Sequence, residues 1–347
     1  MRNMRRWLFV TPDADFHSDF ASQYAALSER MGVVDFSERT RIELTGKDRT
    51  SFLHGLCTNE IKKLSPGQGC EAFFTNVQGK TIGHGYIFCR ENSLLIETAP
   101  GQAKTFVKHL DRYLIREDVQ LHDRTGETAE LFISGATCET VLQSLVEKEL
   151  PQAMLGNLSC QIADHSVLVC RSVFLRVPNF ILIASRDLLS SIQNSLRQQG
   201  AISCGMPAFE CLRIETGTPI FGQDISPDNL PQELARDSLA IHFNKGCYLG
   251  QETVARLDAL GHVNRTLAAL RFEPTSSTDP GTSPATLAPG TELFAGEKAV
   301  GQITSSSFSP RFNATVALGF VRRGHNAVGA SLTAGNLSCT VVAVPMA

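Results

Sequence analysis

Two hydrophobic periods alternate along this chain, and the switches between them mark out its elements. A helical spacing runs from about Asp19 to Met31, with Ser18 placed to cap it. Thr40-Arg41-Ile42-Glu43-Leu44 then alternates as a strand does. Gly46 ends that strand, and Lys47 to Leu56 predicts a second helix. Cys70 to Val77 and Thr81 to Cys89 predict strands joined by a turn at Gln78-Gly79-Lys80, and Ser93 to Thr98 predicts another. Phe106, Leu110 and Leu114 give one apolar face to a helix from Gln102 to Leu114. From Glu127 the alternation recurs as a strand, a helix near Glu139 to Lys148, strands through Ile183, and a helix from Leu188 to Gln199.

This recurrence predicts two mixed layers of helix and strand of similar size, although no clear sequence repeat accompanies it. Pro274 to Pro289 is rich in Ser, Thr, Pro and Gly and predicts a loop or linker. Beyond it, Thr291 to Phe294, Val300 to Ser305, Thr315 to Val321 and Leu337 to Val344 are short apolar stretches punctuated by Gly and Pro. That pattern predicts a small antiparallel barrel or sandwich.

Composition narrows the class. The 347 residues, 42% hydrophobic and 19% charged, leave room for two or three domains that need no disulfides or metals to stand. A net charge of -3 gives no electrostatic reason to bind nucleic acid or an anionic membrane. Met1 to Arg6 begins like a signal peptide, but the apolar run Trp7 to Val10 is too short for one, and no stretch is long and apolar enough to span a bilayer. These features predict a cytoplasmic protein, with an Arg-rich organelle presequence as the weaker alternative because Asp13, Asp15 and Asp19 follow so soon. The ten cysteines form no C-x-x-C pair, which argues against structural zinc, and several sit in apolar runs as small hydrophobes do. No G-x-x-x-x-G-K-[ST] loop, G-x-S-x-G elbow or H-E-x-x-H is present.

Three segments carry candidate chemistry. In Asn244-Lys245-Gly246-Cys247-Tyr248-Leu249-Gly250-Gln251-Glu252, two glycines bracket a cysteine just before a helix predicted over Gln251 to Leu260. A helix N-terminus beside a lysine is a setting that favours a thiolate; an ordinary loop cysteine fits the same spacing. In Glu210 to Asp224, a short helix ends at Gly217 before a Gly- and Pro-rich turn. Arg213 there suits either a helix-end pair with Glu210 or a clamp on a ligand carboxylate. Asn76-Val77-Gln78-Gly79-Lys80 reads as a plain hairpin turn. His54, Cys57 and Asn59 lie close in sequence, but without a third partner they read as a helix end and loop.

Together these segments resemble the folate-binding YgfZ family, relatives of the aminomethyltransferase (T-protein) of the glycine cleavage system. Lys245 to Glu252 matches the signature K-G-C-[YF]-x-G-Q-E at every position. Thr45 to Ile61 resembles the family's G-x-D-x-x-x-F-L-x-x-L-x-T-N-D-V, and Leu64-Ser65-Pro66-Gly67 continues it. Glu210 to Asp224 resembles E-x-x-R-I-E-x-G-x-P-x-x-G-x-D, and Pro231-Gln232-Glu233 resembles P-x-E. Val300 to Ser305 with Ser309-Pro310 resembles the barrel's V-G-x-V-T-S…S-P.

The resemblance implies an α+β fold: a folate-binding GcvT-like module of two mixed layers over 1–265, with halves of about 1–125 and 126–265, and a C-terminal antiparallel β-barrel over 266–347, enclosing a channel. It implies tetrahydrofolate or a derivative as cofactor, with Asn76, Glu210, Arg213, Glu215, Lys245 and Gln251 as cofactor-binding candidates and Cys247 as the reactive thiol. Where aminomethyltransferases resemble L-x-N-x-x-G-G-I-x-D-D, this chain has Gly83 and His84 in place of the acids. The resemblance therefore implies an accessory factor that matures or repairs iron–sulfur enzymes, including tRNA-modifying ones, with those enzymes as clients and no direct contact with nucleic acid or membrane. A folate-dependent aminomethyl or one-carbon transferase and a non-catalytic folate-binding scaffold are the alternatives.

Overall fold

The computed structural model describes residues 14–273 and 287–346, with side chains from residue 19 onward. The expected N-terminal basic start and most of the Pro274 to Pro289 linker lie outside the described residues. In chain order the elements are α1 (Ala14–Glu29), β1 (Gly32–Asp35), β2 (Thr40–Thr45), α2 (Arg49–His54), β3 (Gly69–Thr75), β4 (Thr81–Cys89), β5 (Leu94–Thr98), α3 (Ala103–Asp111), β6 (Gln120–Asp123), β7 (Thr128–Ser134), α4 (Cys138–Leu145), β8 (Asn157–Ile162), β9 (His165–Arg171) and β10 (Asn179–Ser185). There follow α5 (Leu189–Gln198), β11 (Ile202–Ser203), α6 (Met206–Thr216), α7 (Asp237–Ala240), α8 (Gln251–Leu260), β12 (Arg265–Phe272), β13 (Glu292–Ala295), β14 (Lys298–Ser309), β15 (Ala314–Arg322), β16 (Ser331–Ala334) and β17 (Leu337–Val342).

Three sheets organise these elements. One has the order β3-β4-β5-β2-β6, the second β11-β1-β7-β10-β9-β8, and the third closes as a barrel, β12-β15-β14-β13-β16-β17. The barrel is antiparallel throughout its strand pairings among the described residues, as the pattern of its short strands predicts. β1 pairs with β7 and, in parallel, with β11. Residues 32–35 thus belong to the sheet otherwise built after residue 125, a crossing that no local pattern announces. The start of α1 also differs from expectation: Ser18 lies inside the helix rather than at its cap, because the helix begins at Ala14.

The period-2 rule explains the layering. Along β4, Ile87 and Cys89 turn toward a core shared with α2 and α3, which holds Phe52, Leu53, Phe106 and Leu110. Tyr86 and Phe88 turn the other way, toward Phe132, Ile181 and Ile183 of the second sheet. Phe36, Phe132, Phe174 and Phe209 meet between the sheets with ring centroids 4.8 to 6.0 Å apart. Edge-to-face contacts dominate there, as the ring quadrupole favours. A further core joins module to barrel through Phe73, Ile214, Tyr248, Leu318 and Phe320.

Charge is buried between the sheets as well. Arg41 has no exposed surface. Its Nη1 donates to Glu130 Oε2 at 3.0 Å, Nε to Thr128 Oγ1 at 2.7 Å, and Nη2 to the carbonyls of Ser37, Thr125 and Thr128 at 3.0 Å each. Arg39 pairs with Glu97 and lies 3.8 Å from Glu130. Burial, then the neighbouring Glu97, lift the Glu130 carboxyl to about 8 despite both arginines. The folded chain then holds a proton that the unfolded chain, at about 4.5, has released. Glu130 therefore favours folding less as pH climbs from about 4.5 to about 8. Glu130→Gln should gain melting temperature relative to wild type across that climb, read by thermal denaturation at pH 5 to 8; a constant difference would contradict it.

Candidate functional site

β3 and β4 carry the chemistry of the central cavity. This cavity lies between Arg39, His84, Tyr86, Ala99, Phe174 and the segment Pro219-Ile220-Phe221, and measures about 10 Å³, room for about one water. Alternation on β4 decides which residue faces it. Gly83 points the opposite way, where a Cβ would stand 2.5 Å from the Phe106 ring. An acid at position 83 would thus collide with α3. His84 faces the cavity, 5% exposed.

His84 is held from the neighbouring strand. Its Nε2 lies 2.7 Å from Glu71 Oε1, and Arg236 pairs with the same carboxylate through Nε and Nη2. Burial alone would raise the Glu71 carboxyl; Arg236, then His84, outweigh it and hold it at about 2. With Nε2–H donating to Glu71, His84 Nδ1 carries the lone pair, and no hydrogen bond among the described residues takes it. The Tyr86 hydroxyl is buried without a hydrogen-bond partner among the described residues. Arg39 uses Nε on Glu97 and lays its guanidinium over Phe174, 4.8 Å from the ring centroid. A carboxylate-backed imidazole, a phenol and an arginine therefore share one enclosed wall.

The roof of this cavity is locked. Gly217 ends α6 in the left-handed region at φ +80, which lets the chain double back. Arg213 then binds the returning segment: Nη1 donates to Thr218 O at 3.1 Å and Asp224 Oδ2 at 2.8 Å, Nη2 to Gln223 Oε1 and Glu210 Oε2 at 2.6 Å, and Nε to Glu210 Oε2 at 2.9 Å. Asp224 Oδ1 accepts from Thr304 and Ser305 of the barrel.

The expected binding residues are placed otherwise than a clamp requires. Every Arg213 N–H is committed to the protein, so Arg213 does not offer the ligand contact the sequence suggests; its partner Glu210 spends Oε2 on Arg213, and its Oε1 is buried with no hydrogen bond among the described residues. Glu215 accepts from Tyr24 Oη at 2.9 and 3.0 Å and from Ser309 Oγ at 2.6 Å. It lines a separate cleft of about 370 Å³ between α1, α6 and the barrel. Asn76 builds the hairpin turn, its Oδ1 accepting from Gln78 and Lys80 N–H at 3.0 Å. Gln251 Oε1 accepts from Tyr248 N. Lys245 is turned inward: Nζ donates to the carbonyls of His54, Cys57 and Asn59 at 2.6 to 2.7 Å and sits 4.9 Å from the Tyr248 ring centroid. Its three protons close the end of α2 and leave none for a thiolate, which corrects the expected partnership with Cys247.

Cys247 itself is exposed, whereas seven of the ten cysteines are buried and Cys70 and Cys204 are half-buried. Gly250, at φ +81, brings its loop against the hairpin: a Cβ there would stand 2.5 Å from Asn76 O and 2.7 Å from Thr75 Oγ1. Cys247 lines neither cavity. Among the described residues no group of three or more His, Cys, Asp or Glu stands together as a metal site, and no helix is long and apolar enough to cross a membrane. Sequence reasoning missed Glu71 and Arg236. A lone acid inside the apolar strand Ala72-Phe73-Phe74 was the legible sign; its partner, 165 positions away, was not.

An antiparallel sheet and a mixed sheet that line a small polar cavity and dock on a closed barrel define the aminomethyltransferase class of fold. Residues 3–245 match the GCVT N-terminal domain, and residues 277–346 match the glycine cleavage T-protein C-terminal barrel domain; the chain belongs to this family. The crystal structure of glycine cleavage system aminomethyltransferase T from Bartonella henselae superposes with a TM-score of 0.82 at 18% identity, over 94% of this chain and 89% of that one. An Arabidopsis thaliana protein, named provisionally as a chloroplastic transferase, is 27% identical over 90% of this chain and 70% of its own length. An aminomethyltransferase of Nostoc sp. is 25% identical over 88% of this chain and 80% of its own.

Arg213→Ala should cost about 3–5 kcal/mol of stability, because it strands Asp224 and Glu210 in the interior. Chemical denaturation measures this; a loss below about 1 kcal/mol would show that the lock is dispensable.

Proposed function

We propose that this protein is a tetrahydrofolate-dependent one-carbon transferase, of aminomethyl or similar units, whose reaction centre is the central cavity. The observation that carries this reading is His84 backed by Glu71 and Arg236. The family's acid is missing from Gly83, yet the neighbouring strand supplies a carboxylate, and His84 presents its effect to the cavity. The family and the names of its relatives point the same way and favour transfer over the accessory role suggested by the signature alone.

The wall suits a flat heteroaromatic ligand with polar edges. Arg39 offers donors, the Tyr86 hydroxyl lacks a partner among the described residues, and Phe174 and Phe221 supply apolar faces. A volume near 10 Å³ admits such a ligand only when Pro219-Ile220-Phe221 withdraws. Tetrahydrofolate, when bound, supplies the nitrogen that accepts the one-carbon unit. His84 Nδ1 accepts a proton from the reacting amine, Glu71 stabilises the resulting imidazolium, and Arg236 keeps Glu71 ionised. Arg39 and Tyr86 orient the ligand's polar edge, and the roof excludes water.

His84→Ala should lower transfer from an aminomethyl donor to tetrahydrofolate by about 10²- to 10⁴-fold, with folate affinity within a few-fold of wild type. Single-turnover assays and calorimetric titration measure the two quantities. Absence of folate binding by wild type would end this reading.

A second reading has its own observation: Cys247, in a signature that resembles YgfZ proteins, is the exposed cysteine. In it, the protein binds tetrahydrofolate as an accessory factor in the maturation or repair of iron–sulfur enzymes. Cys247→Ala should then fail to restore iron–sulfur enzyme activity in a strain lacking this protein. Full rescue by that variant would remove the thiol from the function.

A further inference from the structure

The cleft between α1, α6 and the barrel holds about 370 Å³, against about 10 Å³ for the central cavity. That volume falls in the range of about 300–1,000 Å³ that small-molecule sites occupy. The two spaces have no lining residue in common: Phe174 faces one and its neighbour Leu175 the other. The room in the cleft comes from α1. Ala21 and Ala25, one helical turn apart, both face it, and neither side chain is long enough to fill it. Leu175, Val177, Leu212 and Met346 make the remaining walls apolar.

The polar groups of the cleft divide into spent and unspent ones. At the floor the Tyr24 hydroxyl donates to both oxygens of Glu215, and Ser309 Oγ donates to Oε1. Burial, then Glu215, push the Tyr24 phenol above its usual value, so it keeps the proton it donates. Glu215 is thus solvated by the protein itself. Ser28 Oγ donates to Tyr24 O and Thr216 Oγ1 to Leu212 O, each at 2.8 Å. Arg176 and Arg311 are different. Both are exposed, both line the cleft, and neither has a hydrogen bond or ion pair among the described residues. Arg311 lays its guanidinium 5.0 Å from the Phe312 ring centroid, a contact that steadies the plane and leaves its N–H edges open. Glu29 is the exposed carboxylate of the lining. The mouth therefore sets two guanidinia against one carboxylate, an excess of one positive charge and of donors.

We propose that this cleft is a second ligand site, for a small organic monocarboxylate with an apolar body. The body lies on Ala21, Ala25 and Leu212, and the carboxylate meets Arg176 and Arg311 at the mouth. A guanidinium presents parallel N–H donors that match a carboxylate, and here those donors have no competing partner. One carboxylate balances the single excess charge. A phosphate dianion overshoots it and lacks a body for the apolar walls; a neutral body leaves the guanidinia unused. Glu29 opposes the anion and limits how tightly it is held.

Calorimetric titration of the full chain with octanoate tests the proposal, beside 1-octanol, which lacks the charge, and inorganic phosphate, which lacks the body. Octanoate should bind once per chain with a Kd below about 1 mM, and each partial probe at least about tenfold more weakly. Arg176→Ala and Arg311→Ala should each weaken octanoate about three- to tenfold, whereas Glu29→Gln should tighten it by up to about fivefold. Ala25→Leu fills the cleft without touching a charge and should weaken octanoate at least about tenfold. Should that variant not fold, Ala21→Leu takes its place under the same outcomes. No saturable octanoate binding, equal binding of 1-octanol or phosphate, or unchanged affinity in the arginine or the filled-cleft variants would each overturn the proposal. Octanoate affinity should be the same with and without tetrahydrofolate. Competition between the two would make the cleft part of the central site and also overturn the proposal.

Discussion

Asp224 is the constraint on which the working parts depend. One of its oxygens binds Arg213 and the Ile220 amide, and the other accepts from Thr304 and Ser305 of the barrel. A single buried carboxylate thus joins the end of α6, the roof of the central cavity and the barrel wall. Charge buried this deeply is tolerable only when it is paired and hydrogen-bonded, and here Arg213, the Ile220 amide and the two barrel hydroxyls do so for Asp224. The cavity exists because this lock holds Pro219-Ile220-Phe221 over His84 and Tyr86 rather than letting the segment lie in solvent.

Much of the frame was legible in the chain. The hairpin of β3 and β4, the amphipathic α3 and the helix from Gln251 follow from local period and punctuation, and the structure places α8 over the expected residues. Local signals failed where a strand pairs far from its neighbours in sequence. Gly32–Asp35 is only four residues long, and its partners in β7 and β11 decide its fate. The site was legible as a set of residue types but not as a set of roles. Arg213 and Lys245 look like ligand-binding cations in sequence; burial converts both into struts, because an interior cation must direct its donors to nearby oxygens.

The same principle separates the histidines from the cations. His84 gives one ring nitrogen to Glu71, whereas Nδ1 of His54 accepts from the Ile61 amide and lies 3.0 Å from Glu60. Glu71 and Glu60 come from turns or strands near the histidine in space, and neither spacing forms a known short motif. The polarity of each pair is fixed by its surroundings: Arg236 locks Glu71 as an anion, while Lys245 and burial hold His54 away from protonation. The chain therefore directs the imidazole of His84 at the cavity and ties that of His54 to the turn after α2.

The central cavity and the loop of Cys247 share one piece of backbone. Thr75, at the end of β3, donates its hydroxyl to Leu249 O, and Gly79 packs against Gly250 and Thr253, so the hairpin that aims His84 also bears on the loop of Cys247. Thermodynamic linkage makes such a joint reciprocal. A ligand that shifts the hairpin on entering the cavity also shifts the loop of Cys247, and whatever displaces that loop changes the cavity's affinity by the same factor. The fold thereby has the mechanical means to let occupancy inside be read outside.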